Sequence, residues 1–511
     1  MFRKNLLLAL ALLAASFLQA QPKKKSFSLA SPDGTLLLHV ETGPALTWSV
    51  SCAGTPVLEP SAISLQLQGG ETWGPGSRIL SSRLEKVSRR MAALHYKKDS
   101  VPDEYTQLVL QFNTRSGIEF RVYNQGVAYR FLSRRTDSLT ISSEQAVFRF
   151  AGDPAAWVPY VNDPHNHDPF ECSFENLYQH IPISSIPKDT LAFAPVLVDG
   201  PAGIRAAITE ADLEDYPGMF LGAGAAPGSL EGRFAPYPLQ EKQGGHNNLQ
   251  SFVTRRADYL ARTTGNRDFP WRLVIVSRQD RDLLDNDLVY LLASPSRVND
   301  PAWIRPGKVA WDWWNDWNIS HVNFRAGINT ETYKYYIDFA AAHGIEYILL
   351  DEGWADSQDI LRIVPSVDLR AIIAYGQSRN VGVWLWAGWL PLAKQMEQAL
   401  AYYADLGVKG FKVDFMDRDD QRMVRFYYRL AAAAADHHLM LDFHGTFKPT
   451  GLQRTYPNVV NFEGVYGLEQ LKWANPPMPD YDATIPFIRM LAGPMDYTPG
   501  AMRNATREAF R

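Results

Sequence analysis

The feature that most constrains this chain is a change of pattern near Lys308. Before it, apolar residues recur with a period of two; after it, short apolar runs alternate with stretches of helical period. In the first half, Phe27-Ser-Leu-Ala-Ser-Pro-Asp-Gly-Thr-Leu-Leu-Leu-His-Val40 reads as strand, Pro-Asp-Gly turn and strand. Phe120–Phe131 reads as a strand pair about a Gly turn, and Ala192–Gly200 and Trp271–Val276 continue the pattern. No long helical period interrupts it, so a β-sandwich is the expected fold. Ser294-Pro-Ser-Arg-Val-Asn-Asp-Pro301 and Arg305-Pro-Gly307 read as a linker. The expected divisions are therefore 21–290 for the sandwich, 291–307 for the linker and 308–511 for a catalytic domain.

The second half predicts strands at Val309–Trp314, Tyr347–Leu350, Val381–Trp386, Phe411–Met416, Leu439–Phe443 and Val459–Phe462, with Ile485–Leu491 as a seventh. Helical faces fall between them, for example Tyr333, Tyr336, Ile337 and Ala340, or Met423, Phe426, Leu430 and Ala434. Strands separated by helices mean parallel βα units, and a (β/α) barrel keeps its site where the strands end. The strand count stops at seven. Nothing after Met495-Asp-Tyr-Thr-Pro-Gly500 supplies an eighth, and Arg511 falls in what reads as a helix start, so the barrel is expected to be truncated before its eighth strand.

Polar residues gather where these strands stop. Asp414 ends an apolar run, and Glu463 and Glu469 come after another. Carboxylates collected at the C-terminal ends of parallel strands suggest glycoside hydrolysis. Asp351, Glu352, Lys412 and His444 are candidates for hydrogen bonds to sugar hydroxyls, His444 equally for a packed core histidine. Trp313, Trp354 and Trp386 are sugar platforms or core residues. Asp417, Arg418, Asp419 and Asp420 read as a solvated helix start, since acids suit a first turn.

A net charge of -4 over 511 residues excludes a basic field for nucleic acid. Arg3 and Lys4, the apolar run Leu6–Leu13 and the small Ala20 form an export leader, too short to span a membrane. The mature chain is expected to begin near Gln21, in the periplasm or the medium. Cys52 and Cys172 could pair there or remain buried thiols.

Together these residues resemble glycoside hydrolase family 97, bacterial exo-acting α-galactosidases and α-glucosidases that bind calcium. The resemblance rests on Ser31-Pro-Asp-Gly34, Trp271-Arg272, Trp303-Ile-Arg-Pro-Gly-Lys308, Trp311-Asp-Trp-Trp314, Asp351-Glu-Gly-Trp354 and Lys412-Val-Asp-Phe-Met416. It continues through Lys448-Pro-Thr-Gly451, Arg454-Thr-Tyr-Pro457 and Gly493-Pro-Met-Asp-Tyr-Thr-Pro-Gly500. It implies an N-terminal β-super-sandwich, a (β/α)8 TIM-type barrel and a small C-terminal β-domain, of which the final strand and last domain are expected to be absent from these 511 residues. Inverting members carry a Glu base at the position of Gly445, and retaining members an Asp at the position of Asp414; Asp414 with Gly445 resembles the retaining branch. The resemblance implies Asp414 as nucleophile and Glu469 as acid/base, with their carboxyls roughly 5 Å apart. It also implies Ca2+ held by Glu175, Glu463 and Glu469, with Glu171 the near competitor of Glu175. Ligation would depress a general acid's pKa, so Glu469 is expected to touch the metal weakly. The implied substrate is a small α-galactoside, with the oligomeric state left open. The alternatives are α-glucosidase or β-L-arabinopyranosidase specificity, or a non-catalytic carbohydrate-binding relic, which the intact Asp414 and Glu469 oppose.

Overall fold

The computed structural model describes residues 24–161 and 168–500. The leader expected over residues 1–20 and the helix start expected near Arg511 lie outside them.

Strict alternation builds the first half. Leu36, Leu38 and Val40 are buried while Leu37 between them is 44% exposed, because successive side chains of a strand point to opposite faces. The register sets Leu38 against Val50 and Val40 against Trp48. Repetition of this pattern yields two antiparallel sheets of ten strands each. They share one core, in which Trp48 meets Tyr129 edge-on with ring centroids 5.1 Å apart. Arg272 is buried with them and is neutralised by Glu144 and Glu210.

The strand Trp271–Ser277 is buried on both faces. Val274 and Val276 join the sandwich core, whereas Trp271, Leu273 and Ile275 join a cluster with Leu288, Leu292, Ile488 and Leu491. The last two residues belong to the stretch expected to be a seventh strand. That expectation is corrected: Met478–Ile488 is an α-helix and Arg489–Leu491 a 3-10 turn. Tyr481, Ile485 and Ile488 are buried at helical spacing, and Pro486 has no N–H to give to a strand ladder.

Beyond Lys308 lies a six-stranded, all-parallel sheet. Its strands, in spatial order, are Val309–Trp311, Tyr347–Leu350, Gly382–Gly388, Gly410–Asp414, Met440–Phe443 and Val459–Phe462. Two strands stop earlier than expected. The first stops at Trp311 because Trp313–Asn315 turns as a 3-10 helix. The fourth stops at Asp414 because Phe415 has φ +67°, outside any strand conformation. The helices Thr330–His343, Leu369–Ser378 and Gln421–Asp436 start at Asn329, Asp368 and Asp420, each of whose side chains accepts a first-turn N–H. Their apolar faces cover one side of the sheet, as Ile337, Ile372 and Leu430 pack in one core with Ile348, Leu385 and Leu441. Cys52 lies in the sandwich core and Cys172 in this one, so the two remain buried thiols.

The charged run after Asp414 departs from expectation. Asp420 does cap its helix, but Arg418, Asp419 and Asp420 are buried rather than solvated, because the sandwich domain covers them. Arg418 is paired with Glu241 at 2.8 Å, and the Gly218 N–H reaches the Asp419 carbonyl.

Candidate active site

Parallel register sets the ends of adjacent strands side by side: Val413 faces Phe443, which faces Phe462. The residues that follow in the chain, Asp414, His444 and Glu463, therefore emerge together at one edge of the sheet. Asp414 is fixed through both oxygens. Its Oδ1 accepts the Phe415 N–H at 2.7 Å and its Oδ2 accepts the Trp386 indole N–H at 3.1 Å. Burial raises its pKa, and Lys412 and His444 oppose that rise.

Behind it lies an ion pair. The Lys412 ammonium meets Asp351 at 2.9 Å and sits over the Trp311 ring at 4.4 Å, with Trp311 in turn donating its N–H to Asp351. Asp312 completes the group by accepting the Asp351 backbone N–H at 3.2 Å. Burial and the neighbouring Asp351 charge push Asp312 up to about 8.

On the other side His444 is held between carboxylates, with Glu463 at 3.2 Å from Nδ1 and Asp496 at 2.7 Å from Nε2. Burial disfavours its charged form, but Glu463 and Asp442 prevail and raise its pKa well above the ordinary imidazole value. His444 is therefore an imidazolium that organises acids, as well as a packed histidine. Glu463 also accepts the Gly445 N–H at 2.8 Å, and its pKa is lowered: His444 overcomes the effect of burial.

Glu469 and Glu175 complete the cluster. Both are raised well above the ordinary carboxyl value, first by burial and then by the charge of Glu463. Glu175 comes from the sandwich domain and accepts from Gln470 at 3.0 Å. Glu171, its competitor, is engaged elsewhere, accepting the Val253 N–H. Ligand atoms of His444, Glu463 and Glu469 all lie within 4.8 Å of one another, as do those of Asp442, His444 and Asp496. Crowded carboxylates with hard oxygen donors suit a divalent cation such as Ca2+.

Family models match both halves: the glycosyl-hydrolase 97 N-terminal model over residues 29–295 and the glycoside hydrolase 97 model over residues 313–465. The chain belongs to glycoside hydrolase family 97. It is 46% identical to a retaining alpha-galactosidase from Bacteroides thetaiotaomicron, over 99% of this chain and 77% of the relative. It is 30% identical to a probable retaining alpha-galactosidase from Streptomyces bingchenggensis, over 94% of this chain and 70% of the relative. Among solved structures, a family 97 enzyme from Pseudoalteromonas sp. strain K8 in complex with acarbose superimposes with a TM-score of 0.80 at 23% identity. That match covers 93% of this chain and 74% of the other. A beta-arabinopyranosidase superimposes with a TM-score of 0.78 at 23% identity, covering 94% and 78%.

Within this family 97 chain, two of the expected sugar platforms are already engaged. Trp354 is 1% exposed, its indole N–H bound to the Trp386 carbonyl at 2.9 Å, and the cavity it lines holds about 20 Å3. That volume admits a water, and burial with a satisfied indole N–H is how a core tryptophan sits. Trp313 is half-buried, stacked on Trp311 at 5.3 Å and covered by the Lys472 ammonium at 3.5 Å. Glu352 is engaged by His246 at 2.9 Å and Asn247 at 2.7 Å. Sequence reasoning missed Trp311, Asp312, Asp442 and Asp496 as members of the site. Asp312 directly precedes Trp313, and Asp442 lies just before His444 inside a run read as strand, so both had a signal nearby. Asp496 lay within the run Gly493-Pro-Met-Asp-Tyr-Thr-Pro-Gly500, where nothing marked it apart from its neighbours.

Proposed function

We propose that this chain is a retaining, exo-acting α-galactosidase in which Asp414 is the nucleophile and Glu469 the acid/base. The observation that carries the mechanism is the packing of Gly445 against Asp414. Gly445 has φ +48°, and a Cβ there would stand 2.7 Å from the Phe415 nitrogen and 2.9 Å from Asp414 Oδ1. A side-chain base at position 445 and a carboxylate held as Asp414 is held exclude each other. With no base there to activate water, a direct displacement by Asp414 is the route left to this pair. The 46% identity to a retaining alpha-galactosidase supports the same branch and the galactose specificity.

In the first step an Asp414 oxygen bonds to the anomeric carbon while the glycosidic bond breaks and Glu469 protonates the departing oxygen. A raised pKa keeps Glu469 protonated for that purpose. In the second step Glu469 takes a proton from water, whose oxygen displaces Asp414, so two inversions give retention. In this reading Asp351, Lys412 and His444 hold sugar hydroxyls. Glu175, Glu463 and Glu469 would hold Ca2+, which supplies positive charge that orients hydroxyls and carboxylates. We read the six-stranded sheet as part of a (β/α)8 barrel, from its parallel order and its polar strand ends. Arg3, Lys4 and the run Leu6–Leu13 support export to the periplasm or medium.

The test is covalent trapping. A 5-fluoro-α-galactosyl fluoride, which slows the second step, should add one glycosyl mass to the peptide bearing Asp414. Labelling at another residue, or turnover that persists in Asp414→Ala, would overturn the assignment.

A further inference from the structure

Two strands of the sandwich domain, Pro238–Gly244 and Gln250–Arg256, pair only with each other among the described residues and form a hairpin apart from both large sheets. Its tip crosses to the rim of the parallel sheet. His246 Nε2 lies 2.9 Å from Glu352, and the Asn247 amide donates to the same carboxylate at 2.7 Å. Leu249 is fully buried, against Gly388, where a Cβ would come within 2.6 Å of it. Gln250 donates to Asp417, and the His246 ring lies 5.5 Å from that of Phe415, the residue after Asp414. The tip therefore rests on the C-terminal ends of three adjacent strands, and Asn247 and Asn248 hold left-handed φ values of +47° and +58° to do so. Leu249 is the anchor and the polar tip is the exposed part.

We infer that His246 and Asn247 form the leaving-group subsite, the wall that contacts the hydroxyls of the sugar being released. This rests on Asp414 being the nucleophile. An exo-acting pocket takes the terminal sugar inward and leaves the rest of the substrate at its mouth. Exposure rises in that direction: the Lys412 and Asp351 side chains are 5% and 4% exposed, Glu352 22% and His246 54%. His246 Nε2 lies between the Glu352 carboxylate at 2.9 Å and the Asn247 amide at 3.1 Å, while Nδ1 has no hydrogen-bond partner among the described residues.

The test compares substrates that differ only in the leaving group: an α-1,6-linked galactosyl-glucose disaccharide and α-galactosyl fluoride. In His246→Ala and Asn247→Ala, kcat/KM for the disaccharide should fall about tenfold, that for the fluoride less than about twofold. His246→Gln, which keeps a donor and an acceptor, should restore part of the loss, and unchanged thermal midpoints would report intact folding. Equal losses on both substrates would overturn the inference, since His246 would then act through Glu352 on the retained sugar. No loss on either would overturn it as well. If the wild type cleaves glucosides and not galactosides, the galactose assignment fails while the same contrast is read on the glucosyl pair. If it turns over no glycosyl fluoride, both readings fall.

Discussion

Gly445 leaves out a side chain beside Asp414, where a Cβ would stand 2.9 Å from Oδ1. Its amide supports Glu463, its carbonyl accepts the Asp417 N–H at 2.7 Å, and its Cα leaves no room beside Asp414 Oδ1. Gly445→Ala should destabilise by about 1–2 kcal/mol through its left-handed backbone. By displacing Asp414 it should also lower kcat on the order of a hundredfold; steady-state kinetics beside urea titration would separate the two effects. Glu469→Gln should lower kcat/KM for poor leaving groups by about 10^2–10^4 and leave kcat/KM for glycosyl fluorides nearly untouched, since that ratio reports the first step alone. It should also remove the alkaline limb of the pH profile, which the raised Glu469 pKa places well above the ordinary carboxyl range. The sequence alone showed Asp414, Glu463 and Glu469 as acids at the ends of apolar runs. It could not show that His444 would be charged between Glu463 and Asp496, because that depends on chain segments meeting in three dimensions.

At the scale of elements, the helix Met478–Ile488 and the turn after it do what a strand could not. The turn carries Arg489, which donates to the carbonyls of Gly464 at 2.8 Å and Glu463 at 2.7 Å and so clamps the loop bearing Glu463. Arg489→Met should cost about 2–3 kcal/mol and weaken activity together with stability, measured by chemical denaturation and turnover. The other strands of the parallel sheet were legible because each is a short apolar run between helical faces. Ile485–Leu491 was misread because a short apolar run has no period of its own, and only its packing against Trp271 and Leu273 reveals the helix. The hairpin ending at His246 was invisible for a related reason: its polar alternation looks like any sandwich edge.

For the whole molecule, the contact between the two halves is charged and buried. Lys448 pairs with Glu210, both fully buried, and Asp419 lies beside them with no hydrogen-bond partner on either oxygen among the described residues. Burial, countered in part by Lys448, raises Asp419 from 3.8 to about 7. The folded state therefore keeps a proton that the unfolded chain has released. The stability tied to it is fully present below pH 3.8 and is lost as pH rises through about 7. Asp419→Asn should flatten that decline in a urea-midpoint series across this range. Calcium should act on the same scale: at a hundredfold excess over Kd it adds about 2.7 kcal/mol, and Glu175→Gln should abolish that increment in thermal unfolding. The central claim, double displacement through Asp414, is tested most directly by proton NMR of an aryl α-galactoside during hydrolysis. α-Galactose as the first product, absent in Asp414→Ala, is the result expected; β-galactose appearing first would contradict it.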